Sequence, residues 1–219
     1  MQIFCDFDGT ISRTDTADLI FTRFAGPAWE EIEARWIAGE IDAATCMTHQ
    51  VELIDAPLPA IEALLDGVGL RDGFAAFLDW SKVRGFPVSI VSDGVDHFIR
   101  HILQRHGIHG VPVTANRLVR AGDNRWTLEL PWRRAECSVG AGVCKCDVVG
   151  VANNSQPIIY IGDGRSDFCV ATRPDVLFAT ARLETFCEER AIRYLPFDSF
   201  ADVQAVLENL GQPRVARTA

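Results

Sequence analysis

The sequence predicts an α/β fold: a doubly wound parallel sheet with a small helical cap inserted after the first strand. Four short, mostly apolar runs recur along the chain, with helix-like segments between them, and the first three runs lead into Asp, Ser or Gly. Strands of a parallel sheet are covered on both faces and need not alternate apolar and polar residues. The four predicted strands are residues 2–5, 86–91, 158–161 and 176–179.

Between the first two runs the pattern changes to amphipathic segments that begin with helix-start residues. A capping side chain or a proline precedes each segment, as is typical of helix N-termini. The segments are residues 17–24 after Thr14 or Asp15, 29–38 after Pro27, 43–54 after Asp42, and 57–65. Residues 12–70 are therefore predicted to form a helical cap domain, and residues 1–11 and 71–211 a discontinuous core domain.

The return to the core and the later part of the chain carry further signals. Asp72 is predicted to start a helix that runs through Val83 and ends at Gly85. Residues 118–121 and 126–130 flank the turn formers 122–124, which predicts two antiparallel strands joined as a hairpin. The tail, residues 212–219, is predicted to be flexible.

The composition excludes several classes of function. The formal net charge of the 219 residues is −9, with no basic stripe of the kind that a nucleic acid requires. The start lacks the pattern of an export signal, and no stretch reaches membrane-spanning length. The seven cysteines are an odd number and lie scattered, which favours reduced thiols. We therefore expect a cytoplasmic protein without nucleic-acid or membrane partners.

Asp6 and Asp8 follow the first strand in Asp-Phe-Asp-Gly-Thr. A period of two places both carboxylates on one side of the chain as it leaves the sheet. They repel each other unless a cation or a shared proton intervenes, and a hard divalent cation is the natural partner. The alternative is a strand-end turn with solvated acids.

A second acidic loop follows the strand at residues 158–161, where the sequence continues Gly-Asp-Gly-Arg-Ser-Asp. Ligands of open parallel sheets collect beyond the carboxyl ends of the strands, so Asp163 could approach the same point as Asp6. The alternative is an ordinary loop in which Asp167 caps a helix.

Polar residues also follow the second strand. In Val-Ser-Asp-Gly, Ser92 offers a hydroxyl to an anion, and Asp93 is among the residues whose backbone N–H groups lie nearby. Lys145 is an isolated cation ahead of a predicted helix. Each residue alone is more typical of a cap or a surface charge, but the set as a whole is distinctive.

The order Asp-x-Asp-Gly-Thr, Ser, Lys, Gly-Asp-x-x-x-Asp resembles the haloacid dehalogenase-like phosphatase superfamily over essentially the whole chain. The helical insertion resembles the cap of the phosphoserine phosphatase-like branch, subfamily IB. Asn116-Arg117-Leu118 also resembles a segment that this branch carries after the serine. The resemblance implies a Rossmannoid core and an enzyme that hydrolyses small phosphorylated metabolites.

The same resemblance assigns roles to individual residues. It implies that Asp6 is the nucleophile that forms a phospho-aspartate, and that Asp8 is the general acid and base. It implies that Mg²⁺ is bound by Asp6, the backbone carbonyl of Asp8 and Asp163, with Asp167 supporting these ligands. It implies that Ser92, Asp93 and Lys145 bind the phosphate group of the substrate.

In the phosphoserine branch the cap supplies an acid for the substrate amine and an arginine for its carboxylate. Asp15 stands at the position of the acid, and Gln50 stands at the position of the arginine. An amide cannot form the charged fork that a carboxylate prefers, so phosphoserine is disfavoured as the substrate.

The stretch from residue 130 to Cys146 resembles the cysteine-rich segment before the lysine of the methionine-salvage phosphatases. These enzymes act on 2-hydroxy-3-keto-5-methylthiopentenyl phosphate, which becomes a candidate substrate here. Cys137, Cys144 and Cys146 are interpreted as structural or redox-sensitive thiols, with a zinc site as the alternative. Two alternative functions stay open: transfer of the phosphoryl group to an alcohol, and a thiol- or metal-binding protein with a vestigial acidic site. The formation of a homodimer also stays open.

Overall fold

The computed structural model describes residues 1–151 and 156–210. In this part of the chain seven strands form one sheet in the order β4-β3-β2-β1-β5-β6-β7. The strands are β1 (Gln2–Cys5), β2 (Val88–Val95), β3 (Val113–Arg120), β4 (Trp126–Glu129), β5 (Ile158–Gly162), β6 (Val176–Ala179) and β7 (Leu195–Pro196). The predicted flexible tail, 212–219, lies outside the described residues.

The first strand lies at the centre of the sheet. Ile3 of β1 pairs in parallel with Val88 of β2 on one side and with Ile159 of β5 on the other. The strands β6 and β7 continue the parallel arrangement beyond β5. The predicted doubly wound parallel sheet is confirmed, and the carboxyl ends of β1, β2 and β5 meet at one edge.

The second strand is longer than predicted at its carboxyl end and includes Ser92. Ser, Asp and Gly are poor strand formers, so the sequence pattern placed its end too early. The strand continues because Val95 pairs with Asn116 of β3 after a shift in register that follows Val91. This irregularity lies beside the edge where the other strands end.

The third strand has two partners. Its first half runs parallel to β2, with Ile90 opposite Val113, and its second half runs antiparallel to β4, with Leu118 opposite Leu128. The predicted hairpin is therefore confirmed, and the sequence pattern missed the parallel half of β3.

Nine helices accompany the sheet within the described residues. Five of them lie between β1 and β2: α1 (Thr16–Phe24), α2 (Ala28–Ile37), α3 (Ala43–Glu52), α4 (Leu58–Leu65) and α5 (Phe74–Val83). The others are α6 (Asp96–Arg105), α7 (Lys145–Gly150), α8 (Ala181–Glu189) and α9 (Phe200–Leu210). None of these helices has the length and apolar character needed to cross a membrane.

Side chains at the helix starts explain several boundaries. The Asp15 carboxylate accepts hydrogen bonds from the first turn of α1, and the Asp42 carboxylate accepts one from the backbone N–H of Thr45 in α3. The helix predicted from Asp72 begins at Phe74 instead, because Gly73 adopts a left-handed conformation with φ of 83°.

The helical segment leaves and rejoins the core at one place. Ser12 and Leu70 form an isolated antiparallel bridge at its two ends. Its helices share an apolar core with the rest of the chain, since Ile20 of α1 and Ile61 of α4 belong to the same buried cluster as Phe98 of α6. On the surface of this contact, His97 of α6 lies 2.9 Å from the Glu62 carboxylate of α4.

Candidate active site

Asp6 lies directly beyond β1 and is buried. Its backbone N–H donates to the carbonyl of Ile161 in β5, which fixes the chain at the sheet edge. One carboxylate oxygen accepts a hydrogen bond from the backbone N–H of Phe7 at 2.7 Å. The other lies 2.7 Å from the ammonium nitrogen of Lys145. The sheet therefore presents a buried carboxylate whose orientation is set from both sides.

Three carboxylates gather at this edge. Oxygen atoms of Asp6, Asp163 and Asp167 all lie within 4.8 Å of one another. Asp163 accepts a hydrogen bond of 2.6 Å from the Thr10 hydroxyl. Asp167 accepts hydrogen bonds from the backbone N–H groups of Asp163 and Gly164, at 3.0 and 2.9 Å. An all-oxygen donor set of this kind fits a hard divalent cation such as Mg²⁺.

Lys145 begins α7 and is the buried cation of the cluster. Its ammonium group donates to Asp167 at 2.6 Å and to the Ser166 hydroxyl at 2.8 Å, besides its contact with Asp6. The Tyr160 hydroxyl donates to the same Asp167 oxygen at 2.6 Å. The lysine thus joins α7 to the loops that follow β1 and β5.

The pKa values of these groups are shifted by burial and by one another. Burial raises the pKa of Asp6, and the charge of Asp167 raises it further, while Lys145 opposes the shift. Burial and Asp167 raise the pKa of Asp163 to about 6. Burial alone would lower the pKa of Lys145, but the charges of Asp167 and Asp6 outweigh it and raise the pKa. A cation near the carboxylates would relieve their mutual repulsion.

Asp8 links the sheet edge to the helical segment. One of its carboxylate oxygens accepts hydrogen bonds from the backbone N–H and the hydroxyl of Thr16, at 2.8 and 2.6 Å, at the start of α1. Burial, followed by the charge of Asp15, raises the pKa of Asp8 to about 7, while the hydrogen bonds from Thr16 oppose the shift. Asp8 therefore exchanges its proton near neutral pH.

Ser92 is buried beside Asp8. Gly94 lies against both groups. If Gly94 carried a side chain, its β-carbon would overlap the Asp8 carboxylate and lie 3.1 Å from the Ser92 hydroxyl oxygen. The Asp93 carboxylate accepts a hydrogen bond of 2.9 Å from the backbone N–H of Val143. Asp93 thereby anchors the loop that leads to Lys145.

A cleft of about 320 Å³ opens above these groups. Its floor includes Asp6, Asp8, Ser92 and Asp163, and its other walls come from α1, α2 and α3 and from the loop before α7. Its size is that of a small-molecule site. The sequence-predicted site residues at the ends of β1, β2 and β5 are therefore brought to one cleft.

Both predicted cap residues line this cleft. Asp15 lies at the start of α1, where its carboxylate accepts from the backbone N–H of Ala17 at 3.0 Å. Gln50 is buried in α3, and its amide donates to the Glu33 carboxylate of α2 at 2.9 Å. The Gln50 amide thus binds the acidic side chain of Glu33. The resemblance, which placed Gln50 at the position of an arginine that binds substrate, did not predict this contact.

Several residues of the site had no distinct signal in the sequence. Thr10 and Tyr160 hold the acidic loops, as described above. The Arg71 guanidinium donates to the carbonyls of Gly9 and Thr10, with 2.7 Å to the latter. The Arg165 guanidinium lies over the Trp36 ring of α2, 5.2 Å from its centre. Thr10 and Arg165 lie within the two acidic motifs but had no assigned role there, and Arg71 acts across a long sequence separation.

Comparisons with known proteins agree with this geometry. The sequence model of the haloacid dehalogenase-like hydrolases matches residues 3–172. The chain belongs to this family. A relative from Bacillus cereus, named 2-hydroxy-3-keto-5-methylthiopentenyl-1-phosphate phosphatase, is 31% identical over 96% of this chain and 97% of its own length. A relative of the same name from Exiguobacterium is 29% identical over 95% and 98% of the two chains.

Solved structures show the same fold. A phospho-aspartyl intermediate analogue of phosphoserine phosphatase superposes with a TM-score of 0.71 at 20% identity, covering 94% of this chain and 97% of that one. A substrate-bound phosphoserine phosphatase gives a TM-score of 0.69 at 19% identity, with the same coverage. The predicted membership of the haloacid dehalogenase-like family, its Rossmannoid fold and the phosphatase class of this enzyme are confirmed.

Proposed function

We propose that this haloacid dehalogenase-like phosphatase is a Mg²⁺-dependent phosphomonoesterase that forms a phospho-aspartate on Asp6. The observation that carries the proposal is the gathering of Asp6, Asp163 and Asp167 within 4.8 Å, with Lys145 against Asp6, on the floor of a cleft. A carboxylate fixed on the floor of a cleft can attack the phosphorus of a bound ester, provided that the repulsion between the two anions is neutralised.

Asp6, Asp163 and the backbone carbonyl of Asp8 would hold the magnesium ion, with Asp167 supporting the arrangement. When bound, the ion neutralises charge on the phosphoryl oxygens and on the nucleophile. Lys145 supplies a second positive charge from the protein itself, and Ser92 supplies a hydroxyl for a phosphoryl oxygen. Asp93, whose carboxylate holds Val143, contributes to phosphate binding through the backbone around it.

Asp8 is proposed as the general acid and base. Protonated Asp8 gives its proton to the leaving alcohol oxygen as the bond from Asp6 to phosphorus forms. The resulting carboxylate then takes a proton from the water that hydrolyses the phospho-aspartate. The pKa of about 7 supports this double role, because both protonation states are accessible near neutral pH.

The helical segment, residues 12–70, is proposed as a cap that selects the substrate. Asp15 and Gln50 are the tentative substrate contacts, because both line the cleft above the proposed nucleophile. Gln50 binds Glu33 and supplies no positive charge, which disfavours a substrate with a free carboxylate such as phosphoserine.

The candidate substrate is 2-hydroxy-3-keto-5-methylthiopentenyl 1-phosphate. Support comes from the name of the full-length relatives and from apolar cleft residues on α1 and α3, Phe21 and Met47, which suit a thioether tail. A cytoplasmic location suits an enzyme acting on such a metabolite, and a homodimer stays a prediction.

Phosphate release from a panel of esters tests the proposal. The panel contains the methylthiopentenyl phosphate, phosphoserine, phosphocholine and sugar phosphates, each with Mg²⁺ present or chelated. One ester turned over far faster than the others, and only with Mg²⁺, is the expected result. If phosphate passes to an added alcohol instead of water, the enzyme is a phosphotransferase.

The nucleophile is tested separately with Asp6→Asn. We expect phosphate release to fall by about 10³-fold or more, because the amide cannot attack phosphorus. Asp79→Asn, on the exposed face of α5, is the matched control and should keep full activity. An active Asp6→Asn variant would overturn the assignment.

A further inference from the structure

Tyr160 is the one polar side chain of strand β5. The other residues of this strand are three isoleucines and a glycine, and all five are buried. The Tyr160 ring packs in the same apolar cluster as Val91 of β2 and Val149 of α7. A phenylalanine would fill that space equally well, and a buried hydroxyl group costs free energy unless it is hydrogen-bonded. Packing alone therefore does not explain the hydroxyl group.

The Tyr160 hydroxyl donates to Asp167, which is also buried and accepts two hydrogen bonds at each carboxylate oxygen. Oδ1 accepts from the Tyr160 hydroxyl and from the Lys145 ammonium group, both at 2.6 Å. Oδ2 accepts from the backbone N–H groups of Asp163 and Gly164. Since a carboxylate has about four acceptor positions, these donors fill them. One oxygen therefore holds the lysine, and the other shapes the acidic loop after β5.

Lys145 has three ammonium protons and three acceptors around it. The acceptors are Asp167 Oδ1, a carboxylate oxygen of Asp6 at 2.7 Å and the Ser166 hydroxyl at 2.8 Å. A phosphoryl group that enters the cleft has to draw one of these N–H donors into a hydrogen bond of its own. The attraction between Asp167 and the lysine therefore limits how much of the lysine charge reaches the phosphoryl group.

The Tyr160 hydroxyl weakens this attraction. Because its O–H dipole points at the Asp167 oxygen that faces Lys145, it offsets part of that oxygen's negative charge, and such effects are strong in a buried region. The packed ring also fixes the position of the Asp167 carboxylate. Without the hydroxyl, Oδ1 would attract the lysine more strongly, and one buried acceptor position would lose its donor.

We propose that Tyr160 is a positioning residue whose hydroxyl group, acting through Asp167, keeps the Lys145 ammonium group available to the phosphoryl group of the substrate. The inference rests on the proposed function for the role of Lys145. It concerns only the oxygen of Asp167 that faces the lysine, because the other oxygen holds the loop that carries Asp163. Loss of the hydroxyl should therefore weaken phosphoryl binding and slow turnover without a matching loss of Mg²⁺ affinity.

Tyr160→Phe tests the proposal, because it removes the hydroxyl group and keeps the ring that fills the core. The kcat for the preferred ester should fall about 10- to 100-fold, since a buried hydrogen bond to a charged group is lost. Calorimetry with inorganic phosphate at saturating Mg²⁺ should show binding weakened about tenfold. A Mg²⁺ titration without phosphate should give a Kd within about threefold of the wild-type value, because the contacts of Oδ2 are kept.

Tyr194→Phe is the matched control. Tyr194 is the other tyrosine of the chain, and its hydroxyl also donates to carboxylates, those of Glu184 and Glu188 on α8, at 3.1 and 3.0 Å. This variant should keep the wild-type kcat and both affinities. Asp6→Asn, measured in the same series, separates the two proposals. If Asp6→Asn stays active, the proposed nucleophile is wrong, and the phosphate titration, which needs no turnover, still tests Tyr160.

A purely structural role of the hydroxyl group would lower the urea midpoint and leave the folded variant with wild-type kcat and phosphate affinity. Either wild-type value in folded Tyr160→Phe overturns the proposal, and so does an equal loss of Mg²⁺ affinity. If Tyr160→Phe does not fold, 2-fluorotyrosine is incorporated into Tyr194→Phe, where Tyr160 is the single tyrosine. The fluorinated phenol is the stronger donor, so phosphate should bind more tightly. Unchanged or weaker binding would then overturn the proposal.

Discussion

The ammonium nitrogen of Lys145 lies 2.7 Å from a carboxylate oxygen of Asp6, and both side chains are buried. The same nitrogen lies 2.6 Å from Asp167. A buried cation between two buried carboxylates offsets part of their repulsion and also places a positive charge beside the proposed nucleophile. We therefore expect both stability and catalysis to depend on the Lys145 side chain.

Lys145→Met is expected to destabilise the fold and to abolish phosphate release. Removing one partner of a buried ion pair leaves an uncompensated charge and costs about 3–5 kcal/mol. Urea denaturation measures this loss, and added Mg²⁺ should restore part of the stability by binding the carboxylates. Lys82→Met changes the other lysine, exposed on α5, and should leave both properties unchanged. A Lys145→Met variant of wild-type stability would contradict the ion-pair argument.

Gly9→Ala tests the approach of the two acidic loops. Gly9 has φ of 73°, and a side chain there would overlap the Asp163 carboxylate. We expect Mg²⁺ affinity and activity to fall, by about a hundredfold for a displacement near 1 Å. Phosphate release at increasing Mg²⁺ concentration measures both effects.

Gly26→Ala is the control for backbone strain. Gly26 has a similar φ of 65°, but nothing lies within 4 Å of the position of a new side chain. Both variants should lose about 1–2 kcal/mol through the left-handed conformation. Only Gly9→Ala should lose Mg²⁺ affinity. Equal activity in the two variants would show that Asp163 does not need its observed position.

The sequence could predict the sheet and the acidic floor of the site for the same reason. Buried parallel strands are apolar throughout, so their ends are visible, and Asp6, Ser92 and Asp163 each follow or end such a run. The parallel topology then brings these ends together. Local sequence patterns therefore predicted most of the residues on the floor of the site.

Contacts between distant segments were beyond the reach of those patterns. Arg71 holds the carbonyl of Thr10, and Gln50 holds Glu33 across two helices. Cys169 packs against the buried Cys137 and Cys144 because the turn after β5 lies beside the start of α7. The parallel half of β3 was missed because Thr114 and Asn116 interrupt its apolar character, while pairing with β2 stabilises it.

Arg165→Ala tests the contact between the core and α2. The Arg165 guanidinium lies 5.2 Å from the centre of the Trp36 ring at the cleft. Such a contact contributes about 0.5–1 kcal/mol at an exposed site, so its loss should raise KM about two- to fivefold with little change in kcat. Steady-state kinetics with the preferred ester measure this split.

Arg190→Ala is the matched control, because its guanidinium lies 4.0 Å from the centre of the Phe186 ring on α8. Its KM should equal that of the wild type. If Arg165→Ala also keeps the wild-type KM, the stacking does not help to close the cleft over the substrate.

Asp42 connects the start of α3 to the loop before α7. Its carboxylate accepts from the backbone N–H of Thr45 at 2.8 Å and lies 2.6 Å from the Arg133 guanidinium. Asp42→Ala should lower the free energy of unfolding by about 1 kcal/mol through loss of the helix cap. Asp42→Asn retains a capping oxygen and loses only an exposed ion pair, so its cost should lie between about 0 and 1 kcal/mol.

The pH dependence separates the charge of Asp42 from its capping role. Burial alone would raise the pKa of Asp42, but hydrogen bonds from Thr45 and the charge of Arg133 outweigh it and lower the pKa in the folded state. A lowered pKa stabilises the fold above the unfolded value of about 3.9, and this contribution disappears as the pH falls through the folded pKa. The stability difference between wild type and Asp42→Asn should therefore be constant from neutral pH to about pH 5 and shrink below about pH 4. Urea midpoints across this range measure it, and a difference that persists unchanged at the lowest pH would show that the carboxylate charge does not stabilise the fold.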